Sequence, residues 1–485
     1  MQCFFFLKII KKGKSENPQN NRLNDKMKSS CNFKYLFLSL ALGWSAMSAP
    51  AQTSWREIFL DAQLQTLIEQ GLERNTDLNV ARLRIDQAEA SLKAARLANL
   101  PSLAFSPTAG ISTFGGSQAA KTYSLPLQAS WQVDIFGRLK NAKMQQKMLV
   151  ESSRAYQQAV EVQVIANLAR EYYQCASLHS QLQLAHESIG IWDETVRAMK
   201  AFMQEGQYTD AAVSQAEASR EEVKATALDL AQQIRESENA IRILVGDSLN
   251  AVNLTFGNQV IQEKGEMTTD LTETSKSSRQ RAISSYPTID FSSQINLPVT
   301  SGIPLQKLSA RPDVRQAEMN LAASIYATKE ARAAFYPSLT LSGTAGWTNS
   351  SGIIVNPGKM LFEAIASLTQ PIFQNGRLKA DLAIKKSQQE EARLQFQQAL
   401  LNAGVEVNNA LTQVQTYADK STLLDNQVKS LERTVKSTRL LQQNGSSNYL
   451  EVLTAQENLL SAQMSRLQNL YNKVAAMIAL YQATM

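Results

Sequence analysis

Two long proline-free runs constrain the fold more than anything else in this sequence. From Gly137 to Gly206, and again from Gly376 to Gly445, 68 residues pass with no proline and one glycine each, Gly190 or Gly404. A helix needs every amide donor and has no room for a pyrrolidine ring, so such runs favour uninterrupted helix. At 1.5 Å per residue each spans about 100 Å. The runs are copies of one another: Phe136-Gly137-Arg138-Leu139-Lys140 is answered by Gln374-Asn375-Gly376-Arg377-Leu378-Lys379, and both ends are displaced by 239 residues.

The apolar positions say what these helices pack against. Leu178, Leu182, Ala185, Ile189, Trp192, Val196, Met199 and Met203 alternate at spacings of four and three. In the second copy Leu400, Ala403, Val407, Ala410, Val414, Tyr417, Ser421, Leu424, Val428, Leu431, Val435 and Thr438 do the same. The repeat displacement lays Ala185 on Leu424, Ile189 on Val428 and Trp192 on Leu431. A seam of period 3.5 is a coiled-coil seam, so each long helix is expected to lie along partner helices for most of its length. Beyond Gly206-Gln207-Tyr208-Thr209, and beyond Asn444-Gly445-Ser446-Ser447-Asn448, the chain turns back into a shorter helix.

Ahead of each long helix the period changes from 3.5 to 2. Pro101 and Pro337 stop a helix, and alternation follows. Leu103, Phe105, Pro107, Ala109 and Ile111 form one face, and Tyr123, Leu125, Leu127, Ala129, Trp131, Val133 and Ile135 return on it. The second copy offers Leu339, Leu341, Ala345 and Trp347, then Met360, Phe362, Ala364, Ala366 and Leu368. Each repeat thus carries a hairpin with one apolar and one polar face. The sequence has no further strand-rich region to cover the apolar faces, whereas membrane lipid would, leaving the polar faces on water. Pro107, Pro126 and Pro371 cannot donate to a ladder and are expected near its rims. Four strands cannot close a barrel, so closure requires other copies: two chains give eight strands and three give twelve.

Charge narrows the partners. The net charge of +6 resides entirely in residues 1 to 51, leaving 41 basic and 41 acidic residues in the remainder. That balance offers no basic patch for nucleic acid. The leader itself reads as an export signal from Met27 or from Met1: Lys28 and Lys34, the apolar run Tyr35 to Ala49, then a cleavage site between Ala51 and Gln52. Cys3 and Cys31 depart with it, and Cys175, on an apolar seam, reads as a small buried hydrophobe.

The order of elements divides the chain into a leader (1–51) and a protomer (52–485). Within the protomer come a girdle and upper helix (52–100), β-hairpin 1 (101–136), helical hairpin 1 (137–246), a girdle or linker (247–311), a second upper helix (312–336), β-hairpin 2 (337–375) and helical hairpin 2 (376–485).

This layout resembles the TolC-like outer-membrane efflux proteins, in particular the NodT-type outer-membrane factors of tripartite RND pumps. The resemblance rests on Gly302-Ile303-Pro304, Arg311-Pro312-Asp313-Val314, Tyr336-Pro337-Ser338-Leu339, the segment Trp131 to Arg138 and the segment Gln370 to Arg377, in this order. It implies a mainly α protein with a transmembrane β-portion: a homotrimer with a 12-stranded barrel in outer-membrane lipid above a 12-helix periplasmic tunnel. The implied partners are a periplasmic adaptor protein and an inner-membrane RND transporter, and the duct needs no cofactor. An ABC exporter serving protein secretion through the same architecture is the alternative partner, and a non-channel coiled-coil or adhesin protein is a third reading. Many NodT-type members carry a lipid-modified cysteine at the mature N-terminus; no cysteine follows Ala51 closely here.

The resemblance also points to sites. Glu451 matches an acidic gate position at the tunnel's tip, while Thr454 replaces a second carboxylate. Asn448-x-x-Glu451 equally has capping-box spacing, so Glu451 reads as either gate or cap. Gly206, Gln207 and Tyr208 with Gly445, Ser446 and Ser447 match the tips that meet adaptors, or are plain interhelical turns. Catalysis has no footing: His179 and His186 stand seven apart, whereas helical zinc motifs pair residues four apart and add a third ligand. Neither a catalytic nor a metal site is expected.

Overall fold

The computed structural model describes residues 55–112, 120–246, 295, 308–349, 359–444 and 449–485. In chain order these form α1 (Trp55–Ile58), α2 (Ala62–Arg74), α3 (Thr76–Leu97), β1 (Ser102–Phe105), β2 (Thr108–Ser112), β3 (Ala120–Val133), α4 (Arg138–Gln204) and α5 (Asp210–Val245). The second repeat follows as α6 (Pro312–Ala333), β4 (Ser338–Asn349), β5 (Lys359–Thr369), α7 (Arg377–Gln443) and α8 (Tyr449–Thr484). The two long helices, α4 and α7, have 67 residues each and start from glycines held at φ 75° and 78°. The fold is therefore the expected pair of repeats. The expected leader and Ala51–Gln52 cleavage site, the turn Gly445–Ser447 and most of the expected girdle at 247–311 lie outside the described residues.

The helices pack in a definite order. α4 lies against α3 and α5 of its own repeat and also against α6 and α8 of the other, whereas α7 lies against α6 and α8. Identical seams thus meet different surroundings. Leu178, Ala185, Trp192, Val196 and Met199 on α4 are buried, as are Ala403, Val407, Ala410, Val414, Leu424 and Val428 on α7. Yet α7 also leaves Leu394, Leu401 and Val405 more than half exposed. At spacings of seven and four these three form a second stripe along one helical face.

Two joints hold the short helices end to end beside the long ones, and they occupy equivalent places in the two repeats. In the first, Asn75 accepts from the Leu78 amide with its side-chain oxygen (3.1 Å) and donates from Nδ2 to the Leu244 carbonyl (2.9 Å). One buried amide thereby caps the start of α3 and the end of α5. In the second joint Arg311 precedes α6. Its guanidinium donates to the Ala483 carbonyl at the end of α8 (3.0 Å), to both Asp313 oxygens (3.1 and 2.7 Å) and to Glu406 on α7 (2.7 Å). Its side chain is 7% exposed. Burial works against that charge, but the bonds to Asp313 and Glu406 outweigh it and raise the pKa above its ordinary value.

At the level of the first joint, Asp61 caps α2 by accepting from the Gln63 and Leu64 amides and takes a 2.8 Å bond from the Tyr172 hydroxyl of α4. Phe59 meets Tyr481 of α8 edge to face at 5.5 Å and pairs with Ile295 in an isolated bridge.

The strands form one antiparallel sheet in the order β1 and β2, then β3, β4 and β5. The register aligns the apolar alternation across the sheet: Trp131 is opposite Leu341 and Leu341 opposite Ala366; Leu125 is opposite Trp347 and Trp347 opposite Met360. Because side chains alternate between faces, a single slip would scatter this stripe, so the register follows from the pattern. The prolines partly depart from expectation. Pro371 does lie just past β5, but Pro126 sits within β3, opposite Gly346, and Pro107 separates β1 from β2 without shifting their register. Gly346 makes that placement possible: a Cβ there would fall 2.3 Å from the Leu125 carbonyl oxygen and 2.8 Å from the Pro126 Cα.

Candidate functional site

Three features bear on function: the sheet face, the helical tip and the interior of the first helical hairpin. On the sheet, Leu103 (71%), Ile111 (73%) and Phe362 (72%) are among the most exposed large apolar residues of the apolar face. A water-soluble protein rarely displays so broad a patch. Thr122, Ser124, Gln128, Ser130, Gln132, Thr340, Ser342 and Thr344 take the other face by alternation. β5 departs from this pattern, since Leu361 and Ile365 flank Glu363 on the polar side. The strand at each end of the sheet, β1 with β2 on one side and β5 on the other, has one neighbour among the described residues. Among those residues no helix is long and apolar enough to cross a membrane.

At the tip, α4 ends in a Schellman turn. The Gln207 amide donates back to the Phe202 carbonyl (2.9 Å) and the Gly206 amide to Met203 (3.0 Å), with Gly206 at φ 76°. A left-handed residue is what this turn requires, and glycine takes that conformation without strain. Thr209 then caps α5, its hydroxyl accepting from the Ala212 amide. Gly206 and Gln207 are exposed. Tyr208 is placed differently from a simple docking residue. Its ring meets Phe202 at 5.7 Å and Tyr449 at 5.4 Å, both edge to face, and its hydroxyl accepts from Gln442 Nε2 (2.9 Å). It clamps the tip of the first helical hairpin to the ends of α7 and α8.

Nothing in the spacing of these aromatics marks that clamp, because Tyr208 and Gln442 are 234 residues apart. Glu451 stands exposed in the first turn of α8. An acid there is favoured by the helix dipole. Asn448, its partner in the capping-box reading, lies outside the described residues.

Inside the first hairpin, Cys175 and His179 of α4 come together with Glu238 of α5. Burial, and then the Glu238 carboxylate, push the thiol up to about 12. His186, seven residues from His179, is exposed and takes no part in the cluster. The residue four positions from His179 is Cys175, and the third donor arrives from another helix.

A family model, outer membrane efflux protein, matches residues 67–247 and 303–484. The chain belongs to this family. As an outer membrane efflux protein it is a channel of the outer membrane and not an enzyme. Cation efflux system protein CusC of Escherichia coli O6:H1 is 28% identical over 435 residues, covering 88% of this chain and 87% of that one. The probable outer membrane lipoprotein SilC of Salmonella typhimurium is 26% identical over 90% of this chain and 89% of its own. A crystal structure of CusC superposes with a TM-score of 0.76 at 26% identity, over 89% of this chain and 94% of that one. The efflux-protein fold accounts for the sheet's exposed apolar face as a lipid-facing surface.

Proposed function

We propose that three copies of this chain assemble into the exit duct of a tripartite efflux pump, with a 12-stranded barrel in the outer membrane and a 12-helix tunnel in the periplasm. The observation that carries this reading is the four-lane sheet with two open edges and one apolar face, rooted directly in helices about 100 Å long. Open edges demand partners, and further copies supply them without exposing backbone to lipid. The duct passes cargo passively from an inner-membrane RND transporter and a periplasmic adaptor. The adaptor docks on the exposed tip at Gly206 and Gln207, with Gly445, Ser446 and Ser447 completing the surface. Small toxic compounds are the proposed cargo, and the name of the CusC relative, a cation efflux system protein, adds cations as a class to test.

Glu451 is proposed as the gate. Three copies set three exposed carboxylates around the axis at the tip, attracting cations and anchoring bonds to neighbours. Single-channel conductance of the detergent-purified protein in planar bilayers tests both claims. Wild type is expected to show a small, cation-preferring conductance that rises in Glu451→Ala. A correctly folded oligomer without any channel overturns the duct, while a channel unaffected by Glu451→Ala overturns the gate and leaves Glu451 a helix-start acid.

The exposed stripe on α7 provides a separate test of assembly. Leu401 is 64% exposed in the protomer, so Leu401→Glu costs the isolated fold little. Across a subunit seam the lost burial amounts to about 2 kcal/mol per interface. The variant is expected to keep its helical circular dichroism and to shift toward monomer in analytical ultracentrifugation. An unchanged oligomer would place the stripe outside the seam.

A further inference from the structure

We propose that Cys175, His179 and Glu238 form a binding site for one zinc-type divalent cation per chain, which staples α4 to α5. Thiolate sulfur, imidazole nitrogen and carboxylate oxygen are the three donor types that zinc takes from proteins. Cys175 and His179 are four residues apart on α4 and therefore share a helical face. Glu238 reaches them from α5, and the three donor atoms lie within 4.8 Å of one another. Donors around a tetrahedral zinc, at metal–ligand distances of about 2.0–2.3 Å, stand roughly 3.5 Å apart. Closing from within 4.8 Å to that spacing asks each donor to move by about 1 Å, the scale of a side-chain adjustment.

The surroundings suit an ion better than an apolar seam. Cys175 is fully buried, while His179 and Glu238 are partly exposed, which gives access from solvent and a side from which a water can serve as fourth ligand. Ser237, beside Glu238, donates to the Glu171 carbonyl (3.1 Å) and toward its carboxylate (3.4 Å), so a second acid is held one turn before Cys175. A thiolate and a carboxylate this close repel one another, and a divalent cation between them turns that repulsion into attraction to a shared charge. On binding, the thiol proton passes to solvent and sulfur coordinates as thiolate. The site does not depend on the duct reading, because its effect is to fasten two helices of one protomer.

Cobalt substitution gives the direct test. The untagged, detergent-purified full chain is stripped with chelator and titrated with Co2+. Wild type is expected to bind one Co2+ per chain, with a near-ultraviolet thiolate-to-cobalt charge-transfer band and visible bands of tetrahedral cobalt, and Zn2+ is expected to bleach both. Cys175→Ala is expected to lose the near-ultraviolet band. Glu238→Gln is expected to weaken Zn2+ binding by at least about tenfold, the loss seen for even an outer-shell partner. A wild-type protein without the band, or a band that survives in Cys175→Ala, overturns the site. Should Cys175→Ala fail to reach wild-type helical content, unchanged Zn2+ affinity in Glu238→Gln overturns it instead. Since binding is read in detergent solution, independently of conductance, failure here leaves the duct intact, and failure of the conductance test leaves this site intact.

Discussion

Gly346→Ala is expected to abolish insertion of the barrel. The added methyl carbon would stand 2.3 Å from the Leu125 carbonyl oxygen and 2.8 Å from the Pro126 Cα. Both are backbone atoms in the middle of the β3–β4 ladder, so no side-chain rotation relieves the contact. The strands must separate where Pro126 already withholds one amide donor. Overpacking of a well-packed core costs about 1–3 kcal/mol, and a backbone clash in a paired ladder belongs at or above the top of that range. The measurement is the yield of heat-resistant oligomer in the outer membrane fraction. Gly343→Ala serves as the control: its Cβ would lie 3.7 Å from the Glu363 carbonyl oxygen, an ordinary contact, and the oligomer is expected to form normally. Equal yields from the two variants would show that the β3–β4 approach is looser than this register requires.

Arg311→Ala carries the second large effect. The guanidinium joins the end of α8 to the start of α6 and bridges to α7, all from a buried position. Its removal strands the Ala483 carbonyl and two acids at one joint. Loss of one partner from a buried ion pair costs about 3–5 kcal/mol, and the low end applies because Asp313 and Glu406 keep about half their surface on water. Hydrogen exchange is expected to accelerate most in the last turn of α8 and the first turn of α6, ahead of any change at the tip. Arg311→Lys is expected not to rescue, since one ammonium cannot present a planar fork to Asp313 while reaching Ala483 and Glu406. The equivalent change in the other repeat, Asn75→Ala, is expected to cost about 1–2 kcal/mol as the loss of a helix cap. If the two variants were equally mild, the joints would not be what fastens the stacked helices.

Local signals made the architecture legible. Missing prolines, bounding glycines and a seam of period 3.5 specify α4 and α7, because helix geometry acts over a few residues. The sheet followed from alternation, which fixes register once one face must be apolar. What could not be read is long-range. Arg311 bonds residues 95 and 172 positions away, and no spacing rule reaches that far. The placement of Pro126 was misjudged because its tolerance depends on Gly346, more than 200 residues later. The Cys175 cluster is not legible in the sequence, because the four-residue partner of His179 is a cysteine on an apolar seam and Glu238 comes from the opposite helix. Nor does an internal repeat reveal environment: α4 and α7 carry matching seams, yet only α4 is enclosed by neighbours from both repeats.

The unequal surroundings of α4 and α7 have a consequence for biogenesis. A newly exported single chain carries its exposed α7 apolar residues as a narrow stripe on a helix otherwise rich in charged and amide side chains, a surface that water tolerates. Its sheet is another matter, with two edges unpaired among the described residues and a contiguous greasy face, the combination that templates aggregation. The helical shaft of a lone protomer is thus fit to wait in aqueous surroundings while its strands are not, which makes the strands the part that needs escorting until sister chains and membrane are both at hand.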